Sequence, residues 1–206
     1  MRHKEAISLA MTGASGAQYG LRLLECLLQQ GIPVDLMLSQ PAQIVIGMET
    51  DWQLPGRIRE IERVFTERFD AVEGLLRLYG EKQWTAAFAS GSAVNRAMVV
   101  CPCTTGTLAS IATGQSRSLM ERAADVTLKE RRKLLLVVRE TPFSEIHLQH
   151  MLTLSRMGAV IMPANPGFYH RPQSVAALVD FMVARILDHL DLEHELMPVW
   201  GADDDN

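Results

Sequence analysis

Short, nearly wholly apolar runs recur along the chain at 7–11, 34–38, 97–101, 134–138 and 159–162. Between them apolar residues return every three or four positions. Over 16–30 these are Tyr19, Leu23, Leu24, Leu27 and Leu28, with Gly31 as the stop; over 57–69 they are Ile58, Ile61, Val64, Phe65 and Phe69. The same spacing predicts helices at 103–113, 118–131, 144–157 and 174–190. Strands that are apolar on both faces, alternating with amphipathic helices, predict a mainly parallel sheet covered on both sides. The expected fold is a three-layer α/β/α domain, Rossmann-like or flavodoxin-like. We find no internal repeat or low-complexity linker, so one domain is expected over 1–206.

In open parallel sheets, ligands bind outside the carboxyl ends of the strands. Here those ends carry Gly13, Ala14 and Ser15; Ser39; Thr104, Thr105, Gly106 and Thr107; Arg139 and Glu140; and Asn165 between two prolines. The first of these turns, Thr12-Gly13-Ala14-Ser15-Gly16, joins a strand to a helix. It offers backbone N–H groups and a hydroxyl at a helix N-terminus, which suits an anionic group such as phosphate. Its glycine spacing is not the G-x-G-x-x-G of dinucleotide binders, and Ser15 does not lie in a nucleophile elbow.

Composition narrows the class. The chain has 206 residues, 48% of them apolar, and a formal net charge of −4, which argues against general nucleic-acid binding. No apolar run approaches the length of a membrane span, and no signal-peptide cleavage region is visible. The three cysteines, Cys26, Cys101 and Cys103, make no disulfide framework and suit a reducing compartment, so a cytoplasmic location is expected. His147 and His150 stand three apart, but no second ligand pair accompanies them, and no metal is expected.

Several charged residues admit two readings. Arg139-Glu140 directly follows a strand: it is either a solvated pair of little energetic value or a site pair holding an anion and moving a proton. Arg122 and Lys129 fall two helical turns apart on one face, leading into Arg131, Arg132 and Lys133; this is either a solvated basic face or two cations meeting a phosphate. Arg185 sits in a helix that is apolar almost all round, so its guanidinium needs a partner, which Asp188 or a bound phosphate would supply. Ser90-Gly91-Ser92 and Trp84 read as a turn and a core tryptophan, or as donors and an aromatic wall. Tyr169 lies in a proline-stiffened loop and offers a phenol.

Taken together, Thr12-Gly13-Ala14-Ser15-Gly16, the stretch from Arg122 to Arg132, Arg139-Glu140-Thr141-Pro142 and Phe168-Tyr169-His170-Arg171-Pro172 resemble the flavin prenyltransferase family, the UbiX-like proteins formerly described as aromatic-acid decarboxylases. The resemblance runs from Ile7 to about Leu190. It implies binding of FMN and metal-independent transfer of a dimethylallyl group from dimethylallyl monophosphate to N5 and C6 of the reduced flavin. The product, prenylated FMN, would serve UbiD-type decarboxylases, including that of ubiquinone biosynthesis. It also implies a large homo-oligomer, a dodecamer among the expected forms, with the site at subunit contacts.

By motif match, Gly13, Ala14, Ser15, Ser39, Thr104, Thr105, Gly106, Thr107 and Arg139 are expected to hold FMN, the Gly13–Ser15 turn at its phosphate end. Ser90, Gly91, Arg122, Lys129, Tyr169 and Arg185 are expected around the dimethylallyl phosphate. Glu140, Ser15 and Trp84 complete the catalytic set. Thr105 stands where a methionine is common in the family, and Val138 where a proline is frequent. Residues from about 190 to 206 are expected to form a C-terminal arm at subunit contacts. An FMN-dependent decarboxylase and a non-catalytic FMN-binding protein are the alternative functions.

Overall fold

A computed structural model describes residues 4–197. The part of the expected C-terminal arm from 198 onward, including Trp200, lies outside the described residues. The chain divides into two compact units, the first ending at Ala164 and the second beginning at Asn165.

The first unit is built on a six-stranded, all-parallel sheet: β1 (Ile7–Met11), β2 (Val34–Leu38), β3 (Leu76–Tyr79), β4 (Ala97–Cys103), β5 (Lys133–Val138) and β6 (Val160–Pro163). The strand order is β3-β2-β1-β4-β5-β6, and all five neighbouring pairs are parallel. The order reverses between β1 and β4, which marks the crevice where such sheets take ligands. The helices are α1 (Ala17–Gln29), α2 (Gln40–Glu49), α3 (Ile58–Arg68), α4 (Thr105–Ala112), α5 (Leu119–Lys129) and α6 (Glu145–Arg156). Right-handed crossovers put α1 to α3 on one face and α4 to α6 on the other, and α1 touches α2 while α4 touches α5 and α6. Ile7, Leu9, Leu36, Val99 and Leu135 are fully buried in the sheet between them.

Two elements depart from the sequence expectation. β3 reads Leu-Arg-Leu-Tyr, with Arg77 exposed. It alternates because it is the edge strand, so a search for continuous apolar runs passes over it. α2 carries Pro41 in its first turn and Gly47 inside it, both poor helix formers there or later. Ser39 nevertheless starts it by accepting the Ala42 amide at 3.1 Å, and a proline in the first turn loses no hydrogen bond. β4 also runs two residues past the expected end, through Pro102. Its register shifts between Val100 and Cys103, where proline has no N–H to give.

Side chains tie the central strands together at both edges. At the carboxyl edge, Thr12 Oγ1 donates to the Pro102 carbonyl at 2.7 Å and accepts the Thr104 amide at 2.8 Å. At the amino edge, buried Asn95 donates to Ser8 Oγ at 2.9 Å and to Asp35 Oδ2 at 2.8 Å. Each such bond is worth about 1 kcal/mol net, and much more is lost if one buried partner is removed.

The second unit contains α7 (Val175–His189), capped by Ser174, whose hydroxyl accepts the Ala177 amide at 3.1 Å. Met182, Val183, Ile186 and Leu187 are its buried face. Ahead of the helix, Tyr169 and His170 pack on Phe181, with centroid separations of 5.7 and 5.3 Å.

Candidate functional site

The carboxyl edge gathers one set of the expected residues. Gly13 lies so close to Pro41 of α2 that a Cβ there would overlap the proline ring. Only glycine lets the β1–α1 turn lie down on α2. Gly16 then enters α1 with φ of +99°, a left-handed conformation that glycine adopts without strain.

Two amides at the start of α1 are taken. Glu49, the last residue of α2, accepts the Gly16 and Ala17 amides through Oε2, each at 2.9 Å. Burial alone would raise the Glu49 carboxyl. The Ser15 hydroxyl, the Ala17 and Gly16 amides and the nearby charge of Arg139 outweigh it and hold the group below the usual carboxylate range. A phosphate brought to these two amides would meet a carboxylate already there. The contact sets the charge at this helix start. It also adds a residue that sequence reasoning missed, because α2 was not predicted and Glu49 therefore had no place.

The start of α4 is another candidate anion cradle. Thr104 caps it, accepting the Thr107 amide at 3.1 Å, and its hydroxyl lies 2.9 Å from that of Thr107. Thr105 opens the helix, and Gly106 beside it is exposed. Arg139 reaches the same edge because its amide bonds the Cys103 carbonyl at 3.1 Å across the β4–β5 pair. Ser39 lies two strands away on this edge, its amide bonded to the Met11 carbonyl at 3.1 Å. Glu140 follows Arg139, and its Oε1 accepts the Thr141 amide at 3.0 Å. Tyr19 on α1 has its hydroxyl pushed up, chiefly by burial and the Cys101 thiol, against the lowering influence of Arg139.

The other set lies along α5. Arg122 Nε donates to the Ala89 carbonyl at 3.2 Å, and Nη1 to Asp125 at 2.8 Å. Lys129 pairs with Glu130. Gly91 abuts that pair so tightly that a Cβ would strike the Glu130 carboxylate and the Lys129 ammonium. Ser90, Gly91, Arg122 and Lys129 are therefore neighbours, as expected. Trp84 is not a core residue: it is about half exposed, with the Lys82 ammonium 6.0 Å above its ring.

The second set runs along α5 away from the carboxyl edge, and its far end, Lys129, lies at the opposite edge of the sheet. α5 enters from the carboxyl edge and ends at Lys129, just before the amino end of β5; Arg139 and Glu140 follow the carboxyl end of β5. Between those ends run six residues, roughly 17 Å at the rise of a parallel strand.

In the second unit Tyr169 is 59% exposed. Arg185 is exposed rather than sunk in the apolar helix, and it pairs with Asp188 at 2.6 Å, whose other oxygen lies 3.0 Å from His194 Nε2. The apolar residues of α7 line the face away from it, which the near-continuous apolar sequence concealed.

Cysteine and histidine chemistry is quiet. Burial pushes the Cys101 thiol far up, and Cys103 up to about 12, so neither is a nucleophile near neutral pH. His147 closes a capping box with Ser144: its Nδ1 accepts the Ser144 amide at 3.2 Å, while Ser144 Oγ accepts the His147 amide at 3.3 Å. Among the described residues, no three His, Cys, Asp or Glu side chains gather as a metal ion would require.

The Flavoprotein family profile matches residues 1–187. The flavin prenyltransferase UbiX of Pseudomonas aeruginosa is 56% identical over 98% of this chain and 96% of its own. A crystal structure of AnUbiX (PadA1) in complex with FMN and dimethylallyl pyrophosphate superposes with a TM-score of 0.85, at 38% identity, covering 97% of this chain and 98% of that one. A dodecameric FMN-dependent UbiX-like decarboxylase from Escherichia coli O157:H7 gives a TM-score of 0.83, also at 38% identity, over 96% and 99%. With near-complete coverage on both sides, the chain belongs to the flavin prenyltransferase family of the flavoproteins.

Proposed function

We propose that this protein transfers a dimethylallyl group from dimethylallyl monophosphate to N5 and C6 of reduced FMN, without a metal, to make prenylated FMN. The observation that carries the reading is the second row of cations. FMN has one phosphate, and the start of α4 with Arg139 suits it; Arg122 and Lys129 lie along another helix, beside Ser90 and Gly91. A protein that only bound flavin would have no use for them. The relative solved with FMN and dimethylallyl pyrophosphate supports the same donor class.

Reduced FMN, when bound, supplies the nucleophilic atoms. Gly13, Ala14, Ser15, Ser39, Thr104, Thr105, Gly106, Thr107 and Arg139 would hold it at the carboxyl edge. Arg122, Lys129, Tyr169 and Arg185 meet the charge of the departing phosphate, with Ser90 as a hydroxyl donor and the Gly91 backbone beside it, the task a metal would otherwise perform. Trp84 gives a π surface to the electron-poor allyl carbons. Glu140 takes the proton released at C6, and Ser15, tied to Glu49, is set beside the flavin edge.

Glu140 and Lys129 serve one small ester yet flank β5 from opposite ends. The site is therefore completed by a neighbouring copy, in a large homo-oligomer of the dodecameric kind known for the relative from Escherichia coli. Among the described residues no helix is long and apolar enough to cross a membrane. We place the enzyme in the cytoplasm, handing its product to a UbiD-type decarboxylase. One relative's name favours a second reading, direct decarboxylation with FMN.

The test is anaerobic incubation of the purified protein with reduced FMN and dimethylallyl monophosphate, read by mass spectrometry. A flavin heavier by one five-carbon unit is expected. An unchanged flavin mass rejects the proposal, and release of CO₂ from an aromatic acid by the isolated protein supports the second reading.

A further inference from the structure

We propose that a basic cavity at the amino-terminal edge of the sheet is a second anion site, taking a small phosphate-bearing ligand. The cavity measures about 440 Å³ and is lined by Lys4, Gly91, Ser92, Val94, Arg96 and Arg132. Its three cations come from three separate places in sequence that the topology makes neighbours. Lys4 precedes β1, Arg96 precedes β4 and Arg132 precedes β5, and these strands are adjacent in the order β1-β4-β5. The convergence is a property of the parallel sheet rather than of three flexible side chains meeting at a surface. It also runs against the composition, since the whole chain carries a net charge of −4.

The surrounding acids do not cancel this charge. Glu130 is engaged by Lys129 beside Gly91. Asp35 is buried and accepts from Asn95. Glu5 is exposed next to Lys4, and Arg96 has further partners of its own. Lys4 and Arg132 thus carry most of the attraction, with Arg96 as the inner wall. The forked Arg132 guanidinium, the Lys4 ammonium and the Ser92 hydroxyl match the several oxygens of a phosphate better than the two of a carboxylate. The volume falls within the usual range for small-molecule sites, above what inorganic phosphate alone would fill. A phosphomonoester of modest size fits that combination.

The cavity shares a wall with the cation row of α5. Ser92 Oγ lies 3.2 Å from Ser90 Oγ, and Gly91 touches the cavity and also abuts Lys129 and Glu130. A ligand seated here would press on the turn that borders Lys129. The inference goes beyond prenyl transfer and does not depend on it.

The test titrates inorganic phosphate, and separately dimethylallyl monophosphate, into the full-length flavin-loaded protein by calorimetry. Wild type is expected to show two phosphate sites. Lys4→Gln/Arg132→Gln should lose one of them, weakened at least tenfold, with kcat at saturating prenyl phosphate unchanged. Arg122→Ala/Lys129→Ala should lose the other and keep the first. Equal affinity for the two ligands would mean the cavity reads the phosphate alone, and tighter binding of the ester would mean it reads the organic part too; both support the site. In wild type, phosphate should also slow reductive methylation of Lys4 several-fold, read by peptide mass spectrometry. Undiminished phosphate binding by Lys4→Gln/Arg132→Gln, or Lys4 labelling indifferent to phosphate, overturns the proposal. Loss of prenyl transfer in that variant overturns it too, by assigning the cavity to the catalytic site. A protein that binds phosphate here but leaves the flavin mass unchanged would instead count only against prenyl transfer.

Discussion

Glu49 accepts the amide of Ala17 at 2.9 Å, so the last residue of α2 closes the first turn of α1 with a negative charge. The contact joins two helices on one face of the sheet and fixes where Ser15 stands. It also sets a pH dependence. A carboxyl held below its ordinary value stabilises the fold above the unfolded-state pKa, about 4.3 for glutamate, and the contribution fades as pH falls through the lower folded value. Glu49→Gln should lower stability near neutral pH by about 1 kcal/mol. Its urea-unfolding free energy should also fall less steeply than that of wild type as the solution is acidified below about pH 4.3. Parallel acid profiles would show that the charge at this helix start is idle.

Gly91→Ala places a methyl group against Lys129 and Glu130. The ammonium must move, while the flavin edge of the sheet is untouched. KM for dimethylallyl monophosphate should rise about tenfold, equivalent to about 1.4 kcal/mol, with FMN affinity by fluorescence quenching unchanged. Equal weakening of both would mean that the two sets of residues are not separable.

Arg185→Ala removes only an exposed ion pair with Asp188. Such pairs contribute about 0–1 kcal/mol, so the thermal midpoint should barely shift. We expect kcat/KM for the prenyl phosphate to fall about a hundredfold, roughly 2.7 kcal/mol of lost transition-state stabilisation. A matched loss of FMN binding would reject this division of roles.

Glu140→Gln keeps the size of the side chain and its ability to accept from Thr141, but not its basicity. Turnover should fall between about 10²- and 10⁴-fold in single-turnover absorbance measurements, with flavin still bound. Wild-type rates would remove Glu140 from the proton path.

Lys129→Ala and Glu140→Gln are each expected to be inactive alone. Unfolded together and refolded as mixed oligomers, they should regain part of the wild-type rate, because some sites then draw both residues from intact copies. Persisting inactivity in verified mixed oligomers would mean that each site is built within one chain.

Much of this was legible in the sequence, for reasons that differ from element to element. Leu23, Leu24, Leu27 and Leu28 announced α1 because burial of one helix face forces that spacing. β1, β2, β4 and β5 showed as apolar runs because both faces are covered. β3 stayed hidden behind Arg77, since an edge strand needs only one apolar face. α2 stayed hidden because its start depends on the Ser39 cap rather than on a periodic stripe, and Glu49 was lost with it. The predicted helix over 118–131 and strand over 134–138 already put Lys129 and Arg139 at opposite ends of a strand. What the sequence left open was which acids and carbonyls hold Arg122 and Lys129. His147 was read as belonging to no metal site, but its part as a helix cap had no signal in the sequence.

The Asn95 bonds to Ser8 and Asp35 at one edge, and the Thr12 bonds at Pro102 and Thr104 at the other, have a kinetic meaning. They pin β1 against its neighbours above and below the place where the strand order reverses. The spacing of these strands is therefore set by bonds within the chain when it folds. A ligand entering at the crevice would meet strands already held in place, so these bonds favour capture by a preformed gap over capture that parts the strands.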